Sequence, residues 1–269
     1  METRIAAIVV TFHPNRDELY NNVRSFIDEV DSLLIWRNSE EPMDYLSEWQ
    51  EKIYFVGTGK NEYIAKPLNY ALSWCLENRY DYLLTMDQDS VWENFNGFLA
   101  STKKSLDNSV AIYAPNLNNQ WSCDNETIEV ASVITSGSLV NVEAAKAVCG
   151  FNEYYKIYWV DGEFCYKVRR NGYRILVFTS YCLKHQLGRQ TKTIFGYYTS
   201  NYSPKVYYFM FRNMFWMRRE HGGSSVSVKC ILYTVLYNVR GIILGESDKL
   251  KKLCSIIKGT FDGLFKCIQ

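Results

Sequence analysis

Eight cysteines are present, yet no Cys-x-x-Cys pair and no Cys/His cluster of zinc-ligating spacing occurs. A zinc site is therefore not indicated. No Walker A sequence, no Gly-x-Gly-x-x-Gly and no Gly-x-Ser-x-Gly is found. P-loop, dinucleotide-binding and nucleophile-elbow readings lose support accordingly. Excess charge of one sign is lacking too: 30 Lys and Arg face 29 Asp and Glu, a net charge of +1, which does not suit a general nucleic-acid binder. The opening Met1-Glu2-Thr3-Arg4 leads straight into an apolar segment, without the long apolar stretch and cleavage site of a leader. No run reads as long and apolar enough to span a bilayer; the most apolar C-terminal stretch lies between Lys229 and Arg240. Most cysteines sit in apolar runs, as in Leu72-Ser73-Trp74-Cys75-Leu76, so reduced, buried thiols in a cytoplasmic protein are expected.

Hydrophobic residues make up 47% of the 269 positions, enough for a sizeable core. Aromatics reach 16%, with 21 Tyr; these suit sugar and base surfaces, and suit cores equally well. Charge is unevenly distributed. Residues 205–269 hold eleven Lys/Arg against four Asp/Glu, a balance of +7, leaving −6 for residues 1–204. A basic tail on a mildly acidic body fits either an anionic surface such as a membrane leaflet or a solvated helical face.

Along the chain, continuous apolar runs alternate with helical patterns. Strands are predicted at 4–11, 33–36, 53–56, 80–86, 110–115 and 174–179, and strand-like alternation at 128–142. Helices are predicted after the turn Phe12–Asn15 to about Ile27, then over 43–51, 65–78, 91–106, 143–149 and from Asp161 to Asn171. From Pro204 onward the pattern is helical, interrupted by Gly222-Gly223. Strand–helix alternation at short intervals predicts an α/β fold, with βαβ units around a mostly parallel central sheet and a C-terminal helical extension.

Three places carry candidate chemistry. Asp87-Gln88-Asp89 stands where the run Tyr80–Met86 stops. Two carboxylates at a strand end can turn into a cleft and offer oxygen ligands to Mg²⁺ or Mn²⁺, and in an α/β sheet that end is where ligands bind. The same pattern also fits a turn with solvated carboxylates. Asp161, in Tyr158-Trp159-Val160-Asp161-Gly162-Glu163, reads either as a helix N-cap or as a general base between aromatics. Glu163 projects elsewhere on that helix and would form a salt bridge or orient neighbours. His185 is one of three histidines; it reads as structural or as a metal or phosphate contact, in a loop made positive by Lys184, Arg189 and Lys192.

In their order these pieces resemble family 2 glycosyltransferases, within them the rhamnosyltransferase-like branch. The matching residues are Ile8–Pro14, Asn61 with Ile64–Asn69, Asp87–Ser90, Thr135–Ser138, Gly150–Glu153, Val160–Cys165, His185–Gly188, and Tyr207-Tyr208 with Arg212-Asn213. The resemblance implies a GT-A fold over 1–204, with a nucleotide-sugar half (1–116) and an acceptor half (117–204), followed by the basic extension 205–269. It implies inverting transfer from a nucleotide-diphosphate sugar, dTDP- or UDP-linked, to a glycan or lipid-linked acceptor of a surface polysaccharide. Rhamnose from dTDP-rhamnose is one such donor. Asp89 and His185 would serve the metal. Asp87, Thr11, Asn38 and Asn61 would serve the nucleotide, and Ser136, Gly137 and Glu163 the sugars, with Asp161 as catalytic base. Peripheral contact with the inner face of the cell membrane would follow from the basic tail, whose Lys258–Leu264 resembles the family's. The chain departs from the family pattern at Arg37 (usually Asp), at Glu62-Tyr63 (usually Gly) and at Lys167 (usually Arg). Rival readings are a sugar-nucleotide nucleotidyltransferase, which would want a glycine-rich basic loop after strand one, and a catalytically silent glycan-binding relic.

Overall fold

The computed structural model describes residues 3–122, 124–185, 191–192, 196 and 198–266. In chain order these form β1 (Ile5–Thr11), α1 (Arg16–Arg24), β2 (Ser32–Arg37), β3 (Ile53–Val56), α2 (Ala65–Glu77), β4 (Tyr82–Asp87), β5 (Val91–Trp92), α3 (Phe95–Lys104), β6 (Val110–Leu117), β7 (Thr127–Glu129), β8 (Ser138–Asn141), α4 (Val142–Ala147), α5 (Val160–Arg170), β9 (Arg174–Lys184), α6 (Pro204–His221), α7 (Val228–Gly245) and α8 (Lys249–Phe265). They divide into two compact units. One comprises residues up to Asn152 together with Asp161–Gln186; the other comprises Glu153–Val160 and the chain from Leu187.

The first unit is built on one sheet in the order β3-β2-β1-β4-β8-β6-β9-β5, with β7 pairing β9. The half β3-β2-β1-β4 is parallel, as the βαβ pattern predicts, and β6 runs parallel to β9. β8 is antiparallel to both β4 and β6. Ile5–Val9 of β1 are buried along the whole run, as expected for a parallel strand covered on both faces. Side chains from α1, α3 and the strands share a core that includes Val9, Leu19, Val23, Phe26, Leu84 and Phe98. Local chemistry sets the helix starts. Asn15 caps α1 by accepting from Asp17 N (3.0 Å) and Glu18 N (3.1 Å), and both acids lie in the first turn, where they face the positive end of the helix dipole.

Several boundaries differ from the expectation. The helix predicted over 91–106 begins only at Phe95. Asn94 caps it through Gly97 N at 2.9 Å, and Val91–Trp92 pair instead with β9. The buried Trp92 supplied apolar character that reads as helix in sequence. The helix predicted over 43–51 is a 3₁₀ helix, Asp44–Trp49. β9 continues to Lys184 because it has partners along its length: β6 on one side, β7 and β5 on the other.

In the second unit, α6 begins at the Ser203 cap with Pro204 in its first turn, a position where the missing N–H costs nothing. α8 packs closely on α6. A methyl group added at Gly263 would lie 2.5 Å from Arg212 O, and one at Gly259 would strike the carbonyl of Tyr208. A second helix break, absent from the sequence reading, falls between α7 and α8, where Asp248 takes φ of +50°. The break is fixed by Glu246, buried beside Lys252 at 2.9 Å. Glu246 also accepts from the Tyr207 hydroxyl at 2.8 Å, from Asn201 N at 3.1 Å and from Thr199. Burial and the bond to Glu246 push the Tyr207 phenol above its ordinary range. A buried ion pair is tolerable when its remaining hydrogen-bonding capacity is filled in this way. α7 spans 18 residues with a mean hydropathy of 1.3. That is long and apolar enough to cross a membrane by length and composition alone, which corrects the expectation drawn from the shorter stretch ending at Arg240.

Asn213, fully buried on α6, donates to three carbonyls: Tyr155 O (2.8 Å), Ile157 O (2.9 Å) and Tyr158 O (2.8 Å). Lys156, Tyr158 and Trp159 all adopt positive φ, so this segment turns tightly around one amide. Each buried acceptor left unsatisfied costs about 1–3 kcal/mol. Asn213→Ala is therefore expected to lower unfolding stability by about 3 kcal/mol or more, measured as a shift in the urea midpoint; an unchanged midpoint would show that the amide is dispensable.

Candidate functional site

The parallel registers bring the ends of three strands level. Thr11 lies opposite Arg37 on β2, and Val10 lies opposite Asp87 on β4. Carboxyl ends of parallel strands are where an α/β sheet opens a crevice. The turn that follows β4 carries Asp87, Gln88, Asp89 and Ser90, and it is fastened from several sides. Gln88 pairs with the chain after β1, accepting from Phe12 N at 2.7 Å and donating to Phe12 O at 3.2 Å. Asn22, fully buried on α1, donates to Asp87 O (2.8 Å) and Ser90 O (2.5 Å). Asp87 N donates to Ser136 Oγ at 3.0 Å, and Ser136 Oγ donates to Ser90 Oγ at 2.7 Å. Ser90 Oγ lies 2.8 Å from His185 Nδ1.

His185 is thereby brought beside the acidic pair, with Nδ1 3.7 Å from Asp89 Oδ1 and 4.0 Å from Asp87 Oδ2. Asn118 holds its backbone from both sides, accepting from His185 N and donating to His185 O, each at 3.0 Å. One atom each from Asp87, Asp89 and His185 lies within 4.8 Å of the others, close enough to share a metal ion. The Asp87–Asp89 pair reads from its spacing as two oxygen ligands, and the family resemblance implies a nucleotide role for Asp87; in the structure Asp87 belongs to this group.

Asp161 enters the same region from the first turn of α5, where its Oδ1 accepts from Gly162 N at 2.8 Å. It lines a cavity of about 190 Å³ together with Ser136, Pro115, Gln120, Trp121 and Val133. A wider, open cavity of about 700 Å³ borders Asp89 and His185 and carries Arg24, Lys184, Asn21 and Asn118. Burial and the neighbouring Asp89 and Asp161 charges push the Asp87 carboxyl up to about 7. Burial raises Asp161 above the usual carboxylate range and lowers His185, the latter opposed by Asp89. Clustered carboxylates that resist ionising together are what a bound cation would relieve. Two carboxylates and an imidazole form a donor set suited to Mn²⁺ and acceptable to Mg²⁺.

The other expected residues have defined places. Thr11 is buried and donates to Trp36 O at 3.0 Å. Asn38 is buried, accepting from Trp36 Nε1 (3.1 Å) and Glu62 N (2.8 Å) and donating to Tyr63 O (2.8 Å). Asn61 accepts from Tyr63 N at 2.9 Å. These three side chains shape the rim at β1 and β2, while Arg37 Nε is buried there without a hydrogen-bond partner. Gly137, at φ +79°, leaves no room for a side chain: an added Cβ would lie 2.7 Å from Leu183 and 2.8 Å from Pro115. It permits the turn that presents Ser136. Glu163 is buried 3.3 Å from Lys167, whose ammonium also donates to Gly150 O at 2.6 Å. Gln186, Leu187, Gly188 and Arg189 lie outside the described residues, as do Cys123 and Cys267. The six cysteines described are free, and Cys75, Cys165 and Cys182 are buried.

Asn22 and Asn118 do not figure in the sequence reading. Asn22 shares the buried stripe of α1 with Leu19 and Val23, and an amide on an apolar stripe is the signal that marks it. Asn118 belongs to an Asn-Asn pair with positive φ, visible in sequence only as a turn.

No family model matches the chain. It is 24% identical to the dTDP-rhamnosyl transferase RfbF of Shigella flexneri, over 98% of this chain and 96% of that protein. In structure it is similar to S. aureus TarS 1–349 in complex with UDP-GlcNAc: the TM-score is 0.61 with 13% identity, covering 98% of this chain and 82% of that one. It is likewise similar to the mannosyltransferase PcManGT from Pyrobaculum calidifontis in complex with GDP-Man and Mn²⁺: the TM-score is 0.62 with 11% identity, covering 98% and 88%. The fold is therefore the GT-A fold, and the resemblance read from the motifs is borne out.

Asn22→Ala is expected to leave two carbonyls of the Asp87–Ser90 turn without their donor, costing about 1–3 kcal/mol for each. Because the turn carries two candidate ligands, Mn²⁺ affinity measured by calorimetry should fall along with the urea midpoint. A drop in stability with unchanged affinity would mean the turn holds its shape without Asn22.

Proposed function

We propose that this chain is a metal-dependent glycosyltransferase. It would take a sugar from a nucleoside-diphosphate donor and transfer it with inversion to a glycan or lipid-linked acceptor of a surface polysaccharide. The observation that carries this reading is the Asp87–Asp89–His185 group, joined through Ser90 and Ser136 to the wall of a cavity that Asp161 also lines. The near-full-length similarity to a dTDP-rhamnosyl transferase favours a dTDP-linked donor and rhamnose as the sugar. Free thiols at the six described cysteines, three of them buried and Cys149 and Cys254 exposed against the expectation of burial, fit a cytoplasmic location.

The chemistry asks for two things that these residues supply. As the bond between the anomeric carbon and the departing phosphate oxygen breaks, negative charge builds on the diphosphate. Asp89 and His185, with Asp87 beside them, would hold a Mg²⁺ or Mn²⁺ ion, which when bound neutralises that charge as a Lewis acid. On the acceptor side, a hydroxyl oxygen forms the new bond to the anomeric carbon and loses its proton. Asp161 would receive that proton, and its raised proton affinity, caused by burial, makes it a better base than an exposed aspartate. One displacement with a base opposite the leaving group inverts the anomeric configuration.

The test pairs nucleotide with metal. dTDP together with Mn²⁺ is expected to raise the melting temperature more than either alone and more than UDP with Mn²⁺, and Asp89→Asn should abolish the metal-dependent part. No stabilisation by either nucleotide would refute the transferase reading. Asp161→Asn should fold and bind dTDP with Mn²⁺ as the parent does, yet lose transfer by roughly 10²–10⁴-fold. Retained transfer would reject Asp161 as the base.

A further inference from the structure

The outer faces of α7 and α8 carry a second feature, which does not depend on the transferase reading. On α8 the exposed residues Leu250, Cys254, Ile257, Phe261, Leu264 and Phe265 follow a spacing of three, four and seven, which lines them up along one side of a helix. They are among the most exposed apolar side chains of the chain, with Leu250 at 79%, Ile257 at 69% and Phe265 at 67% of full exposure. The opposite side of α8, with Ile256, Gly259 and Gly263, is buried. α7 repeats the pattern with Val228, Leu232, Leu236 and Ile243 exposed.

The exposed charges within the two helices have one sign. α7 contains Lys229 and Arg240 and no carboxylate. The one carboxylate within α8, Asp262, is buried, which raises its proton affinity, but it accepts from the Tyr208 hydroxyl and from Lys266, and these bonds with the nearby lysine charges hold its carboxyl below the usual range. Lys251 and Lys258 are exposed, seven residues apart, and so run along one edge of the α8 stripe. Asp248, paired with Lys251 at 3.7 Å, stands just before the helix.

We infer that the exposed faces of α7 and α8 form an interfacial platform that binds an anionic lipid bilayer, with the apolar stripes in the acyl boundary and the lysines at the headgroups. Apolar helical stripes edged by exposed cations, with the one carboxylate inside the two helices turned inward, are the composition that seats a helix in an anionic membrane surface. A second copy of this chain is a poor occupant, because two such faces would bring like charges together. Insertion across the bilayer is disfavoured for α7 by Arg240 and by the burial of Asn238, Gly241 and Ile242 inside the protein.

The experiment is co-sedimentation of the full chain with vesicles of phosphatidylcholine alone and of phosphatidylcholine mixed with phosphatidylserine. The parent is expected to sediment with the mixed vesicles, and progressively less as salt is raised. Leu250→Ser with Ile257→Ser and Phe261→Ser, all at exposed positions, should lower partitioning by roughly tenfold or more with unchanged circular dichroism. Lys251→Glu with Lys258→Glu should do the same. The inference is overturned if the parent stays in the supernatant with both vesicles, or if it binds both equally and ignores the lysine reversal. It is overturned too if the parent is a dimer that the serine exchanges dissociate. Because the assay contains neither nucleotide nor metal, failure here leaves the transferase reading standing, and the reverse holds as well.

Discussion

The arrangement depends on holding like charges close together at the end of β4. Asp87, Asp89 and Asp161 share one region, and Asp87 is driven up to about 7 by burial and by the other two. Left to itself, a turn bearing two carboxylates would swing them apart into water. It does not, because its backbone is committed elsewhere: Asp87 O and Ser90 O to Asn22, Asp87 N to Ser136, and the Gln88 side chain to Phe12. The electrostatic cost is met by ordinary hydrogen bonds from a helix, a neighbouring strand end and a loop, so the fold pre-organises a site whose repulsion a cation would remove.

The fold is what makes those fastenings available. Parallel pairing of β4, β1 and β2 sets three strand ends level, and the antiparallel β8 then brings the turn at Thr135–Gly137 against β4, where Gly137 N donates to Thr85 O at 2.7 Å. Ser136 reaches Asp87 only because Gly137 can adopt its positive φ between Leu183 and Pro115. β9, longer than its apolar pattern suggested, ends at Lys184 and delivers His185 to the acidic pair. Two motifs nearly a hundred residues apart thus become neighbours through strand length and register rather than through any local signal.

In the second unit polar side chains act as fixings on the same principle. Asn213 gathers three carbonyls of a tightly turned segment, and the buried Glu246–Lys252 pair sets the break between α7 and α8. With Asp262 drawn inward as well, the outer faces of those helices are left apolar and cationic. The surface chemistry of this unit is therefore partly a consequence of where its carboxylates are spent.

How much was legible beforehand differs by kind of signal. The continuous apolar run of β1, the turn and helical pattern that give α1 and the end of the β4 run at Asp87 are local patterns, and the sequence alone determined them, along with the α/β class and the order of motifs that resembles a glycosyltransferase family. Asp87, Asp89, Asp161 and His185 stood out because side chains that can hold a metal or a proton fell at element ends and in the order of the family's motifs, although each also had an ordinary structural reading. Tertiary structure alone decided that Asp87 joins Asp89 and His185, that Asn22 and Asn118 hold the site, and that Thr11 and Asn38 spend their side chains on the rim. It decided too that Val91–Trp92 form a strand edge. The physical reason is that periodicity reports which face of an element is buried, whereas hydrogen-bond partners and pKa shifts depend on register and on distances that no single stretch of chain contains.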